Sequence, residues 1–113
     1  MTPDEQCARV LGWEEKQSAL HQFPTWYRGD ESSITCPAYG SDETLIGEML
    51  AAFDRFKAEN EIAEWELFTA SIHDAPHGFT YWDDDGQHDF FARNKCEAVR
   101  AALMQASEVQ DET

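Results

Sequence analysis

Apolar residues recur every three or four positions in three segments of the chain, and this period predicts three amphipathic helices. The central segment carries the longest apolar stripe, which consists of Leu45, Ile46, Met49, Leu50, Phe53 and Phe56. The stripe near the N-terminus consists of Cys7, Val10 and Leu11, and the one near the C-terminus of Cys96, Val99 and Leu103. We expect these stripes to be the buried faces of the helices.

Polar residues at the helix starts strengthen these predictions. Thr2 and Glu5 have the spacing of a capping box. In this motif, the side chain at each position accepts a hydrogen bond from the backbone amide at the other. Asn94 and Glu97 repeat this spacing before the last helix, and Ser41 or Asp42 can cap the central one. The first helix should end at Gly12, which tolerates the left-handed conformation.

Between the central and last helices, the sequence predicts three strands joined by short turns. The first covers residues 64–74, and its in–out alternation shifts near Leu67 and Phe68, which predicts a bulge or a strand with two apolar sides. A turn at 75–78 leads to a second strand at 79–83. A hairpin tip at 84–86 leads to a third strand at 87–92.

Residues 14–41 show no clear period. Phe23, Trp26 and Tyr27 are large enough to belong to a core, but Pro24 and Pro37 interrupt any long element. We predict an irregular aromatic segment with one short strand near residues 33–36 and a turn or loop at residues 29–33.

These elements predict one α+β domain at residues 1–106, followed by a frayed acidic tail at 107–113. The strands should form an antiparallel sheet of three strands, or four if residues 33–36 join it, in the order α-(β)-α-β-β-β-α. Two to three helices pack with the sheet. The central and last helices cover one face, and the N-terminal helix covers part of the other.

Charge changes the picture more than length does. The 113 residues include 23 Asp and Glu against 8 Lys and Arg, a net charge of −15. That excess repels phosphate backbones and anionic lipids, so we exclude direct binding of nucleic acid or membranes. The N-terminus has no secretory signal, and we expect a cytoplasmic protein. Cys7 and Cys96 fall on apolar stripes, which favours buried thiols over disulfides.

Candidate chemistry is sparse. His73, His77 and His88 lie in or beside the strands and offer an alternative function, a small metal-binding protein or enzyme, if they converge. The acidic hairpin does not fit a calcium loop, because Ala92 stands where that loop needs a glutamate. No nucleophile elbow or phosphate-binding loop occurs. We therefore predict no enzyme, no catalytic residue, no metal and no cofactor.

The carboxylates gather in a few places, and solubility alone could explain them. The alternative is a surface that imitates nucleic-acid phosphates and binds a basic protein. We expect such a surface to include the hairpin residues Asp83, Asp84, Asp85 and Asp89. A second patch leads into the first strand and contains Glu61, Glu64 and Glu66. The exposed side of the central helix is expected to carry Glu43, Glu48, Asp54 and Glu59.

Four short pieces of the chain lie at residues 8–13, at residues 37–42 before the long helix, at residues 65–67 and at residues 97–103. In their order and spacing they resemble small phage proteins of the ABA-sandwich domain family. The family has no settled activity, so the resemblance implies only a phage origin and a three-layer arrangement around a small sheet. With the charge, this leads to the hypothesis of an anti-CRISPR-like inhibitor of a host nucleic-acid-binding defence complex. An accessory structural phage protein is a further alternative.

Overall fold

A computed structural model of the protein describes residues 2–17 and 24–111, with side chains up to residue 107. Three helices occur in this part: α1 (Pro3–Val10), α2 (Ile46–Ala58) and α3 (Lys95–Asp111). A short 3-10 helix, Glu43–Leu45, leads into α2. No helix within the described ranges is both long and apolar enough to cross a membrane.

The predicted N-caps at Thr2 and Asn94 are confirmed, whereas the predicted cap of the central helix serves the 3-10 helix before it. Thr2 Oγ1 accepts from the Glu5 amide at 3.2 Å, and Asn94 Oδ1 accepts from the Glu97 amide at 2.8 Å. Asp42, one of two candidates, caps the 3-10 helix through the Thr44 amide at 3.0 Å. Each bond satisfies an amide that the first helical turn leaves without a partner.

In the described residues, six strands form two separate antiparallel sheets. The α+β class and the order of the three helices and the last three strands are confirmed, but the numbers of sheets and of strands before α2 were predicted too low. The first sheet contains β1 (Glu14–Gln17), β2 (Pro24–Arg28) and β3 (Glu31–Ser33). The second contains β4 (Glu64–Thr69), β5 (His77–Asp83) and β6 (Gly86–Ala92). In both sheets the strand order follows the chain.

The first sheet corrects the interpretation of residues 14–41 as irregular. A single strand was predicted at 33–36, whereas three strands form and the last of them ends at Ser33. The predicted turn or loop at 29–33 is limited to Gly29 and Asp30, because residues 31–33 pair with β2 as a strand. Trp26 in β2 is buried, and the guanidinium of Arg9 from α1 lies 5.4 Å from its ring centroid. Phe23 lies outside the described residues.

The second sheet corrects two details of its first strand. Strand β4 ends at Thr69, five residues before the predicted end, and the chain turns at His73 and Asp74. The pairing of β4 with β5 is continuous from Glu64↔Trp82 to Thr69↔His77, so no bulge interrupts it. The alternative of a strand with two apolar sides is the correct one, since Leu67 packs on the core while Phe68 lies on the opposite face.

The core lies between the second sheet and the helices. Phe53 of α2 contacts Phe79 and Tyr81 of β5, with ring centroids 4.6 and 5.9 Å apart. Helix α3 packs on β5 and β6 and buries Val99 and Leu103. The prediction that the N-terminal helix covers the other face is wrong, because α1 packs on α3. The backbone of α3 is helical to Asp111, into the segment predicted as a tail, and residues 112–113 lie outside the described part.

Candidate functional site

The face of the second sheet that points away from α2 and α3 carries every other residue of its three strands. The pairing register arranges these residues in three rows across the sheet. One row is Phe68, Gly78 and Phe91, the middle row is Glu66, Thr80 and Asp89, and the third row is Glu64, Trp82 and Gln87. We call this surface the outer face.

The middle row brings two carboxylates to either side of a buried threonine. Thr80 is 3% exposed, and its hydroxyl donates to Asp89 Oδ1 at 2.6 Å. Gln87 Nε2 donates to the same oxygen at 2.8 Å. The Thr80 bond first, and the Gln87 bond second, lower the pKa of Asp89. Asp89 is therefore held as an anion at neutral pH.

Glu66 is the second carboxylate of the middle row and is exposed. Within the part of the chain that the structure describes, no hydrogen bond or ion pair involves its side chain. Both Asp89 bonds fall on Oδ1. Glu66 and Asp89 Oδ2 are thus carboxylate acceptors that this face offers to a partner.

Aromatic rings lie on both sides of the middle row, in the two neighbouring rows. Phe68 and Phe91 meet edge to face on one side, with ring centroids 5.9 Å apart and planes at 83°. The Phe68 ring lies directly on Gly78, where a Cβ atom would meet it at 2.5 Å. Trp82 lies on the other side of the middle row and is half-buried. Acidic and aromatic side chains therefore alternate over a short distance.

Together these side chains enclose an open groove of about 440 Å³. Its lining consists of Glu66, Phe68, Thr80, Trp82, Gln87, Asp89 and Phe91. Phe91 remains 44% exposed, one of the more exposed large apolar side chains in the described residues. The volume lies at the lower end of the range typical of ligand pockets, which suits one or two side chains better than a large cofactor.

The acidic residues of the hairpin do not all lie on the same face. Asp83 is only 11% exposed and accepts from the Asp85 amide at 2.9 Å, while its Oδ1 lies 2.9 Å from His88 Nε2. His88 stacks on Tyr81 and contacts Gln105 of α3 through Nδ1 at 3.0 Å. Asp83 thus lies on the helix side of the hairpin and does not contribute to its exposed surface. Asp84 and Asp85 are exposed at the turn.

The second predicted patch is also divided. Both carboxylate oxygens of Glu64 accept hydrogen bonds from Lys57 Nζ, at 3.0 and 3.1 Å. This contact first, and a hydrogen bond from the Trp65 amide second, lower the pKa of Glu64. Glu61 is exposed in the connection before β4. Of the seven predicted residues, the fold brings Glu66 and Asp89 together in the groove, with Glu64 at its border.

Two carboxylates on α2 have structural roles. Glu48, predicted to be exposed, is half-buried because its side chain pairs with Arg28 and accepts from Tyr39 Oη at 3.1 Å. Asp54 is exposed but accepts from Trp65 Nε1 at 3.0 Å.

The three strand histidines do not converge. His77 pairs with Ala92 and His88 with Tyr81, which separates them by four residues along β5, or roughly 13 Å. His73 lies in the turn before β5. No group of three or more His, Cys, Asp or Glu side chains in the described ranges could hold a metal ion.

The cysteines are free thiols, and Cys7 and Cys96 are buried as predicted. Burial raises the pKa of Cys7 to about 12 and that of Cys36 to about 11, and it also raises the pKa of Cys96. A thiol attacks as its thiolate, so all three are poor nucleophiles at neutral pH.

Sequence reasoning named the carboxylates of the groove but missed Phe68, Thr80, Trp82 and Phe91. The signal for these residues was the alternation within β4, β5 and β6, which assigns one face to residues 66, 68, 80, 82, 89 and 91. Comparison with known proteins adds no relative: no family model matches the sequence, and no significant match occurs among curated proteins or solved structures. The resemblance to the ABA-sandwich phage proteins stays a prediction.

Proposed function

We propose that the protein is a binding module that docks its outer face on a basic surface of another protein. The observation that carries this proposal is the middle row of the outer face, where Glu66 and Asp89 present carboxylates between aromatic rings in an open groove. Protein-binding surfaces often combine large aromatic side chains with a polar rim.

The charge of the chain supports a basic partner. A net charge of −15 produces a field that attracts positively charged surfaces and accelerates their encounter. Basic surfaces on nucleic-acid-binding proteins bind phosphates. Carboxylates on a sheet can offer negative charge to the same basic side chains. The proposed consequence is competition with nucleic acid for one surface of the partner.

The specific form of the proposal is a phage-derived inhibitor of a host nucleic-acid-binding defence complex. Its support is the resemblance to small phage proteins together with the acidic outer face. RNA-guided complexes hold their nucleic acids in positively charged channels, which a small acidic domain could occupy.

A competition experiment tests the proposal. Fluorescently labelled target DNA is bound to each member of a panel of purified basic nucleic-acid-binding proteins that includes RNA-guided complexes, and the protein is titrated in. We expect displacement of DNA from at least one member at 50 mM salt. The apparent affinity should fall about tenfold or more at 200 mM salt, because ionic contacts are screened.

Charge-reversal variants locate the surface. Glu66→Lys with Asp89→Lys should abolish displacement, whereas Glu59→Lys with Asp30→Lys makes the same charge change away from the outer face and should retain most of it. The proposal would be contradicted if the protein displaced DNA from none of the panel members. Equal loss in both double variants would assign the effect to net charge and not to the outer face.

A further inference from the structure

We propose that the groove of the outer face receives an arginine side chain of the partner protein. This inference rests on the proposed function and specifies the chemistry of its contact. The groove combines the two features that a guanidinium group recognises, a carboxylate pair and flat aromatic surfaces, and it is open to solvent.

The carboxylates define the polar half of the site. Glu66 and Asp89 lie two strand positions apart with Thr80 between them, so their Cα atoms are separated by roughly 10 Å across the sheet. Their side chains line the same groove from opposite sides. A guanidinium has five N–H donors in a planar fork, and it can donate to both carboxylates at once.

The state of each carboxylate favours this contact. The bonds from Thr80 and Gln87 hold Asp89 as an anion and occupy Oδ1, which leaves Oδ2 as its acceptor for a ligand. Glu66 makes no hydrogen bond or ion pair with the described residues, so a ligand does not have to displace an existing partner. One anion is thus preoriented and the other can adjust.

The aromatic rings define the apolar half of the site. Alternate residues on a strand are about 7 Å apart, so the Phe68 and Phe91 pair and the Trp82 ring lie one row on either side of the carboxylates. A cation within about 6 Å of a ring centroid is attracted to the ring face. The methylenes of an arginine would cover Phe91, which is 44% exposed.

Other occupants fit less well. A lysine ammonium is compact and strongly hydrated, and it neither stacks on a ring nor binds two carboxylates as a fork does. An uncharged apolar segment would bury Glu66 without a compensating donor. A second copy of this chain carries the same net charge of −15, so the two copies repel each other.

Short peptides provide the direct test. We suggest an acetylated, amidated Gly-Gly-Arg-Gly-Gly peptide, its lysine counterpart, and its citrulline counterpart, which keeps the shape of arginine without the charge. Binding is followed by amide and indole chemical shifts in NMR. We expect the arginine peptide to bind at least about tenfold more tightly than the citrulline peptide and about fivefold more tightly than the lysine peptide. The shift changes should centre on Glu66, Thr80, Trp82, Asp89 and Phe91.

Conservative variants give matched controls. Glu66→Gln and Asp89→Asn each remove one charge and keep the shape of the side chain. Each should lower the affinity for the arginine peptide about fivefold or more. Glu59→Gln removes the same charge at the end of α2 and should change affinity by less than twofold. Phe91→Leu keeps an apolar side chain and should weaken arginine binding more than lysine binding. Unchanged amide spectra outside the outer face show that each variant is folded.

The outcomes separate this inference from the proposed function. Equal binding of the arginine, lysine and citrulline peptides, or shift changes away from the outer face, would overturn the arginine site. If DNA displacement still depended on Glu66 and Asp89 in that case, the proposed function would stand without it. Specific arginine binding in the groove, together with no displacement of DNA from any partner, would support the site and contradict the proposed function.

Discussion

In the first sheet, β1–β3, Arg28 holds two carboxylates in ion pairs, whereas in the second sheet, β4–β6, two carboxylates of the outer face remain available to a partner. Arg28 of β2 pairs with Glu48 of α2 and with Glu31 at 2.8 Å, donates to the Leu11 carbonyl at 3.3 Å, and lies 4.7 Å from the centroid of the Trp13 ring. These contacts connect the sheet to α1 and α2. Glu66 and Asp89 have no such cationic partner among the described residues.

This difference shows that the acidic residues of the chain are not equivalent. Glu48 is held by Arg28 and Tyr39, and Asp4 accepts from Arg100 at 2.7 Å and from the Gly40 amide at 2.8 Å. These carboxylates connect distant elements and are half-buried. The number of acidic residues, 23 Asp and Glu, therefore overstates the binding surface, because carboxylates such as these are paired with cations within the fold.

The largest expected effect is a difference in stability between substitutions on the two faces of the second sheet. Phe79 is fully buried between Phe53 and Trp65, so Phe79→Ala should lower the free energy of unfolding by about 3–5 kcal/mol. Phe91→Ala removes a ring from the outer face and should cost less than about 1 kcal/mol, since Phe91 is 44% exposed. Urea denaturation of both variants measures the difference. Equal losses would mean that the outer face is part of the core.

The next effect tests whether the first sheet depends on Arg28. Arg28→Ala leaves Glu48 half-buried without its cation and should lower the free energy of unfolding by about 2–3 kcal/mol. Arg55→Ala is the matched control, because Arg55 is exposed and lies 5.6 Å from the Phe56 ring centroid without an ion pair among the described residues. We expect a change of about 0.5 kcal/mol or less there. A small effect of Arg28→Ala in urea denaturation would contradict the comparison.

A smaller effect concerns the aromatic end of the groove. Gly78→Ala places a methyl group against the Phe68 ring, which must move away from the strand, at a cost of about 1–2 kcal/mol. Gly47→Ala in α2 has open space at the same atom and should raise stability by up to about 1 kcal/mol. Thermal unfolding measures both variants. A rise in stability in Gly78→Ala, as in Gly47→Ala, would show that Phe68 does not require a glycine beneath it.

The smallest effect is a pH dependence within the middle row. The folded-state pKa of Asp89 lies below its ordinary value of 3.8, so its contribution to stability is present above about pH 4 and is lost as pH falls through the lower folded value. Thr80→Val removes the leading cause and should raise the pKa of Asp89. NMR titration of the Asp89 side-chain carbon measures this. Thr69→Val, at the exposed end of β4, should leave the Asp89 titration unchanged.

The parts of the fold that depend on neighbours in sequence were predictable. The caps at Thr2 and Asn94 are decided within three or four residues, and the helical stripes determine their own faces. Strand β1 was not predictable, because all four of its residues are polar and exposed, and it is a strand only through its pairing with β2. In the same way, the groove depends on the register that places Thr80 between Glu66 and Asp89.

The contacts of His88 with Asp83 and Gln105 attach the tip of the β5–β6 hairpin to α3. Asp84 and Asp85 therefore extend from a backbone that is already ordered before any partner arrives. Ordering a flexible side chain at an interface costs about 0.5–1.5 kcal/mol of conformational entropy, and ordering a loop adds to that cost. A partner that contacts this tip avoids the loop contribution. Loss of the His88 contacts would thus weaken association, because a partner would then have to order the tip. No exposed carboxylate would be removed by such a change.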